Sequence, residues 1–127
     1  PYLEQETAWV RDWVEAGGRL LGICLGAQML ARAFGGEVRP HAQGKVEVGF
    51  YEVEPSGTCS HFMTVPKQVY QWHREGYSLP SGAERLATSA VFPEQAFRLG
   101  ARALGLQFHP EVTQKMMRRW VRNAAET

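Results

Sequence analysis

The sequence predicts an α/β fold: a mixed, mainly parallel sheet flanked by helices, with an antiparallel excursion. Three observations carry this. Residues 20–24, Leu-Leu-Gly-Ile-Cys, form a short apolar run that does not alternate, as a strand buried on both faces of a parallel sheet does. That run lies directly between two helix-like segments, the strand–turn–helix order of α/β domains. From Lys45 onward the pattern changes to alternation, followed by several short strand candidates separated by turn residues.

Taken in order, residues 4–16 are predicted to be helical. Trp9, Val10, Trp13 and Val14 share one face, and Arg11, Asp12 and Glu15 the other. Glu4 and Glu6 sit in the first turn, where negative charge suits the helix dipole, and Gly17-Gly18 stops the segment. After the 20–24 strand, residues 27–34 are predicted to form a second helix, stopped by Gly35-Gly36. Residues 45–50 alternate polar and apolar and predict a half-exposed antiparallel strand. Further strands are expected at 65–72, 84–89, 96–99 and 103–108, with turns at Pro55-Ser56-Gly57, Pro80-Ser81-Gly82 and Gly100. Residues 112–123 predict an amphipathic helix with Val112, Met116, Trp120 and Val121 as its apolar stripe. Lys115, Arg118, Arg119 and Arg122 form its solvated side. Trp9, Trp13, Trp72 and Trp120 are expected in the core rather than as ligand platforms.

Composition bounds the function. The 127 residues, 44% of them hydrophobic, are read as one domain, 1–127, with enough apolar side chain for a core. Fourteen Lys and Arg against 13 Asp and Glu leave no basic excess for a nucleic-acid backbone. No apolar run approaches the ~20 residues of a membrane span, so no membrane partner is expected. Two cysteines, Cys24 and Cys59, are too few for a disulfide scaffold and read as reduced thiols in a cytoplasmic setting. Cys59 and His61 offer two ligands in a turn, which is not a zinc site, and neither a metal nor a cofactor is expected.

The sharpest local feature is Gly22-Ile23-Cys24-Leu25-Gly26, a nucleophile elbow with cysteine in the place of serine. A strand entering a helix directly forces the turn residue into a strained conformation, and the residues two before and two after must be tiny. The thiol then projects above a helix N-terminus, which favours thiolate, and the N–H of Leu25 points where an oxyanion forms. On this motif alone Cys24 is equally readable as a buried structural cysteine. The second feature is Gln107-Phe108-His109-Pro110-Glu111. His109 is expected at a strand end, as Cys24 is, and ligands bind along that edge of a parallel sheet. A spacing of two in extended chain points His109 and Glu111 the same way, so the carboxylate can hold the imidazole. Alone, that motif reads as a surface histidine beside a helix-opening Pro-Glu pair.

Together, Gly22-Ile23-Cys24-Leu25-Gly26-Ala27-Gln28 and Gln107-Phe108-His109-Pro110-Glu111 resemble the class I (triad) glutamine amidotransferases, in motif, order and separation. The stretch from Gln95-Ala96-Phe97 to Glu111 further resembles the GMP synthase-like stand-alone branch of that family. The resemblance implies a flavodoxin-like fold and hydrolysis of the glutamine side-chain amide, or that of another γ-glutamyl compound, through a Cys24 thioester. His109 shuttles the proton and Glu111 orients it. Leu25 supplies an oxyanion N–H, and Gly26, Gln28, Trp72 and Arg74 fall at the substrate. Within Trp72-His73-Arg74-Glu75, Arg74 stands where many members have glycine, and His73 is expected to shape the pocket. Ammonia would pass to a separate synthetase partner, since no acceptor module is recognisable in the chain. A γ-glutamyl peptide hydrolase of the same fold and a catalytically impaired binding module are the alternatives. Other cysteine hydrolases with a similar elbow fit less well: one kind has His where Leu25 stands, and α/β-hydrolases place the acid before the His, whereas Glu111 follows His109. The Gly-Gly-Pro type loop that gives the family its second oxyanion N–H has no counterpart, so about two β–α units are expected to be missing before Pro1. Loss of that donor would cost roughly 10²–10³ in rate.

Overall fold

The structure is a computed structural model and describes residues 2–57 and 61–126. Helix α1 (Tyr2–Glu15) leads through Gly17, at φ 86°, into strand β1 (Leu20–Ile23) and then directly into α2 (Leu25–Ala33). Strands β2 (Val38–Pro40), β3 (Glu47–Pro55), β4 (Lys67–His73), β5 (Glu75–Tyr77), β6 (Glu84–Thr88), β7 (Ala96–Leu99) and β8 (Ala103–Leu106) follow. Helix α3 (Gln114–Ala125) comes last, capped by Thr113, whose hydroxyl accepts from the N–H of Met116.

The main sheet has the order β1-β8-β7-β6-β3-β4, and β2 pairs with β5 in a small ribbon. The sheet is mixed and helix-flanked as expected, but its parallel share is smaller: only β1 and β8 run parallel, and the other pairings are antiparallel. The connections explain why. Between β7 and β8 lie only residues 100–102, and a parallel pair needs a crossover of a dozen residues or more. The three-residue strands β2 and β5 carry too little pattern to be read from sequence.

One part of the core lies under α1 and α2, where Val10, Leu30 and Ala31 meet Phe97 and Tyr77, and the Tyr77 and Phe97 rings cross edge-on at 5.2 Å. Another gathers Val53, Leu86, Leu106 and Phe108. The two N-terminal tryptophans are not core: Trp9 is 58% exposed and Trp13 44%. They stack on each other at 5.7 Å, and Trp13 folds over Gly18, its indole N–H donating to the Arg19 carbonyl at 2.8 Å. Val121 is likewise exposed, while Val112, Met116 and Trp120 are half-buried, and Trp120 meets Tyr70 and Trp72.

The first residues of β3 have the opposite phase to the usual one, whereas its end, with Val53 buried between exposed Glu52 and Glu54, does not. Val46, which precedes it, Val48 and Phe50 are exposed, while Glu47 is buried. The acid is tolerated because it has partners: His73 Nε2 at 2.9 Å and the Gln95 amide at 3.1 Å. Among the described residues, no helix is long and apolar enough to cross a membrane.

Candidate active site

Cys24 occupies the joint between β1 and α2 at φ 54° and ψ −106°, the only non-glycine at positive φ among the described residues. Its N–H donates to the Leu106 carbonyl at 2.7 Å, which anchors the joint to β8. The close approach within the elbow is real at Gly22. A Cβ there would meet the Gly26 carbonyl group at 2.6 Å and the Ala27 nitrogen at 2.8 Å. The expected second half of the steric argument does not hold, because a Cβ on Gly26 meets nothing within 4 Å. Gly26 is the surface that Gly22 packs on. It lines neither cavity beside Cys24, in contrast to its expected place at the substrate.

Two cavities meet at Cys24, Leu25 and Trp72. The first, about 280 Å³, is also lined by Gln28, His73, Arg74 and Glu75. The second, about 580 Å³, is walled by Ile23, His109 and Trp120. Gln28, Trp72 and Arg74 therefore fall together on the first cavity, and Cys24 and His109 on the second. Arg74 sits at the exposed bend between β4 and β5. His109 lies three residues beyond β8, its N–H held by the Tyr70 carbonyl at 2.9 Å. Its Nδ1 meets Glu111 Oε1 at 2.7 Å, the same-side geometry that the spacing of two predicts. The Trp120 ring crosses His109 edge-on at 5.3 Å.

The Cys24 thiol donates to the Trp72 carbonyl at 3.9 Å and accepts from Gln107 Nε2 at 3.6 Å. Burial pushes this thiol up from its ordinary value; the Leu25 N–H pulls it back, the Glu111 charge raises it again, and the Gln107 amide lowers it. The expected drop from the helix N-terminus is thus outweighed by desolvation.

Two features here were not read from the sequence. His73, expected to shape the pocket, is clamped between Glu47 and the Glu75 carbonyl, the latter at 2.8 Å from Nδ1. A carbonyl only accepts, so Nδ1 carries a hydrogen, and Nε2 meets the Glu47 carboxyl with one proton between them. The side chain of Gln107 reaches Cys24 because Ile23 pairs with Leu106, which sets the next residues of the two strands side by side. Pairing the two motif strands in parallel is the signal that would have found it. Among the described residues no three His, Cys, Asp or Glu side chains cluster to hold a metal ion, and Cys59 lies outside those residues.

The family model for class-I glutamine amidotransferases matches residues 1–126. A glutamine-hydrolyzing GMP synthase of Thermomicrobium roseum is 40% identical over 113 residues, 86% of this chain and 21% of that protein. The corresponding glutamine-hydrolyzing GMP synthase subunit from Archaeoglobus fulgidus is 37% identical over 100 residues, 73% of this chain and 52% of that one. The chain thus spans about half the length of the Archaeoglobus protein and about a fifth of the Thermomicrobium one. A glutamine amidotransferase from Thermotoga maritima superposes with a TM-score of 0.90 at 35% identity, covering 99% of this chain and 55% of the other. The glutamine amidotransferase from Methylobacillus flagellatus gives 0.92 at 29% identity, covering 99% and 51%. With its fold, its strained elbow and its whole described length accounted for in these terms, the chain belongs to the class-I glutamine amidotransferase family.

Proposed function

We propose that this chain hydrolyses the side-chain amide of glutamine, with Cys24 as nucleophile, His109 as proton carrier and Glu111 as the group that orients His109. The single observation that carries the reading is the strained Cys24 at the strand–helix joint, on the same cavity wall as a histidine held by a carboxylate. Burial keeps the resting thiol protonated, so the proton passes to His109 as sulfur attacks the amide carbon. The oxyanion forms against the Leu25 N–H. Collapse of that intermediate breaks the C–N bond, His109 protonates the departing ammonia, and a γ-glutamyl thioester remains. Water, deprotonated by His109, attacks the thioester and releases glutamate and the thiol. Gln28, Trp72 and Arg74 would contact the amino-acid end of the substrate in the first cavity.

The names of the relatives, glutamine-hydrolyzing GMP synthases, are compatible with a division of labour in which ammonia is handed to a synthetase on another chain or segment. The test is covalent trapping in the full-length protein. A glutamine-analogue electrophile should label Cys24 and be blocked by excess glutamine. A folded protein that stays unlabelled at Cys24 would refute the assignment.

A further inference from the structure

Gln107 is fully buried, yet it lies beside a sulfur atom where an apolar side chain would pack as well. Its orientation is fixed by a chain of contacts that starts at a backbone carbonyl. The Glu75 carbonyl can only accept, and Gln28 Nε2 donates to it at 2.9 Å. The same nitrogen lies 3.2 Å from Gln107 Oε1. The oxygen end of Gln107 is therefore committed to Gln28, and its nitrogen end faces Cys24 Sγ at 3.6 Å. The main chain is held as well, the Gln107 N–H donating to the Gln95 carbonyl at 2.8 Å.

We propose that Gln107 is a further catalytic residue: a pre-oriented buried amide that donates to the Cys24 sulfur and stabilises its anion during attack and thioester breakdown. The inference rests on Cys24 being the nucleophile. A sulfur anion in a cavity wall loses most of its water donors, and a fixed N–H replaces one of them without adding a charge. The charged and titratable groups around the sulfur are His109 and Glu111 beyond β8, His73, Arg74 and Glu75 at the β4–β5 bend, and Arg32 on α2. Among the groups that act on the thiol itself, the Leu25 N–H and the Gln107 amide favour the anion, whereas Glu111 opposes it. The Leu25 N–H is also the donor assigned to the oxyanion, which leaves Gln107 as the donor kept for sulfur.

The experiment is iodoacetamide alkylation of Cys24 against pH in the full chain, resolved by peptide mass spectrometry so that Cys59 is scored separately. Gln107→Met keeps the length of the side chain and removes the donor. Its alkylation midpoint should rise by about one pH unit relative to wild type, the scale of one hydrogen bond to a charged group. Gln28→Met leaves Gln107 in place but frees its amide to turn, and should shift the midpoint the same way by less. An unchanged midpoint in folded Gln107→Met, with folding checked by circular dichroism, overturns the proposal. If that variant does not fold, an unchanged midpoint in Gln28→Met overturns it. Alkylation needs no glutamine, so failure of the substrate reading shows separately, as a wild-type protein that shifts as stated but resists the glutamine-analogue label.

Discussion

Replacing Glu47 tests the reversed face of β3 and the pocket behind it at once. The carboxyl group is 1% exposed, shares one proton with His73 Nε2 and accepts from the Gln95 amide. In Glu47→Ala both groups lose this partner. Gln95 is cushioned, because its amide also reaches Ser89 Oγ and the Phe92 carbonyl, each at 3.0 Å. His73 has no such reserve on Nε2, so the broken buried pair should dominate, at about 3–5 kcal/mol. Glu47→Gln keeps the shape and can turn its amide N–H toward a neutral His73 Nε2, giving up only the contact with Gln95, which sets its cost at about 1–2 kcal/mol. Against a total stability of roughly 5–15 kcal/mol, the first change is a large fraction and the second is not. Urea denaturation of both variants beside wild type measures the difference. His73 also fixes the Glu75 carbonyl that Gln28 uses, so Glu47→Gln should raise KM for glutamine more than it lowers kcat. Glu47→Ala within 1 kcal/mol of wild type, roughly the cost of an ordinary hydrogen bond, would refute the reasoning.

Three further outcomes follow from single contacts. Gly22→Ala should lose stability and activity, because its Cβ meets backbone at 2.6 Å; Gly26→Ala, in the first turn of α2 with open space around it, should be stabilised by about 0.5–1 kcal/mol, and equal melting temperatures for the two would contradict the elbow geometry. Tyr77→Phe removes a buried hydroxyl that has no partner and should add about 1 kcal/mol at neutral pH. Burial also holds that phenol far above its ordinary value. Wild type should therefore lose stability as pH climbs past the unfolded phenol value of ~10, and Tyr77→Phe should flatten that loss; a lower urea midpoint in the variant would count against this. Glu111→Gln should lower the pH at which Cys24 alkylates, since the Glu111 charge raises the thiol, while glutaminase activity falls because His109 loses its holder; an alkylation midpoint that stays put or rises would refute this effect of the charge.

The geometry of the candidate site was legible where it is written in neighbouring residues. The elbow needs a small residue two before its strained turn residue, and Gly22 supplies it; His109 and Glu111 need only a spacing of two to meet. What sequence did not yield depends on distant partners. Alternation in 45–50 fixes the period of a strand but not its phase, and the phase was decided by His73, 26 residues away, and Gln95, 48 away. The tryptophans of α1 follow the same logic: helical periodicity puts Trp9, Val10 and Trp13 near one face, but only Val10 meets α2 closely enough to be buried. The sheet is less parallel than expected, and the short turn at residues 100–102 by itself requires an antiparallel return.

The distant partners have a common chemistry that bears on the proposed reaction. Behind Cys24 the buried polar side chains are mostly amides: Gln28, Gln71, Gln95 and Gln107, linked by Gln28 to Gln107 at 3.2 Å and Gln71 to Gln95 at 2.7 Å. The one buried carboxylate among the described residues, Glu47, meets a histidine. A carboxylate in the place of Gln107 would repel the sulfur anion, and a lysine or arginine would make that anion so stable that it attacks poorly. An amide does neither. It satisfies its neighbours, donates one N–H to the sulfur, and leaves the proton balance of the site to His109 and Glu111.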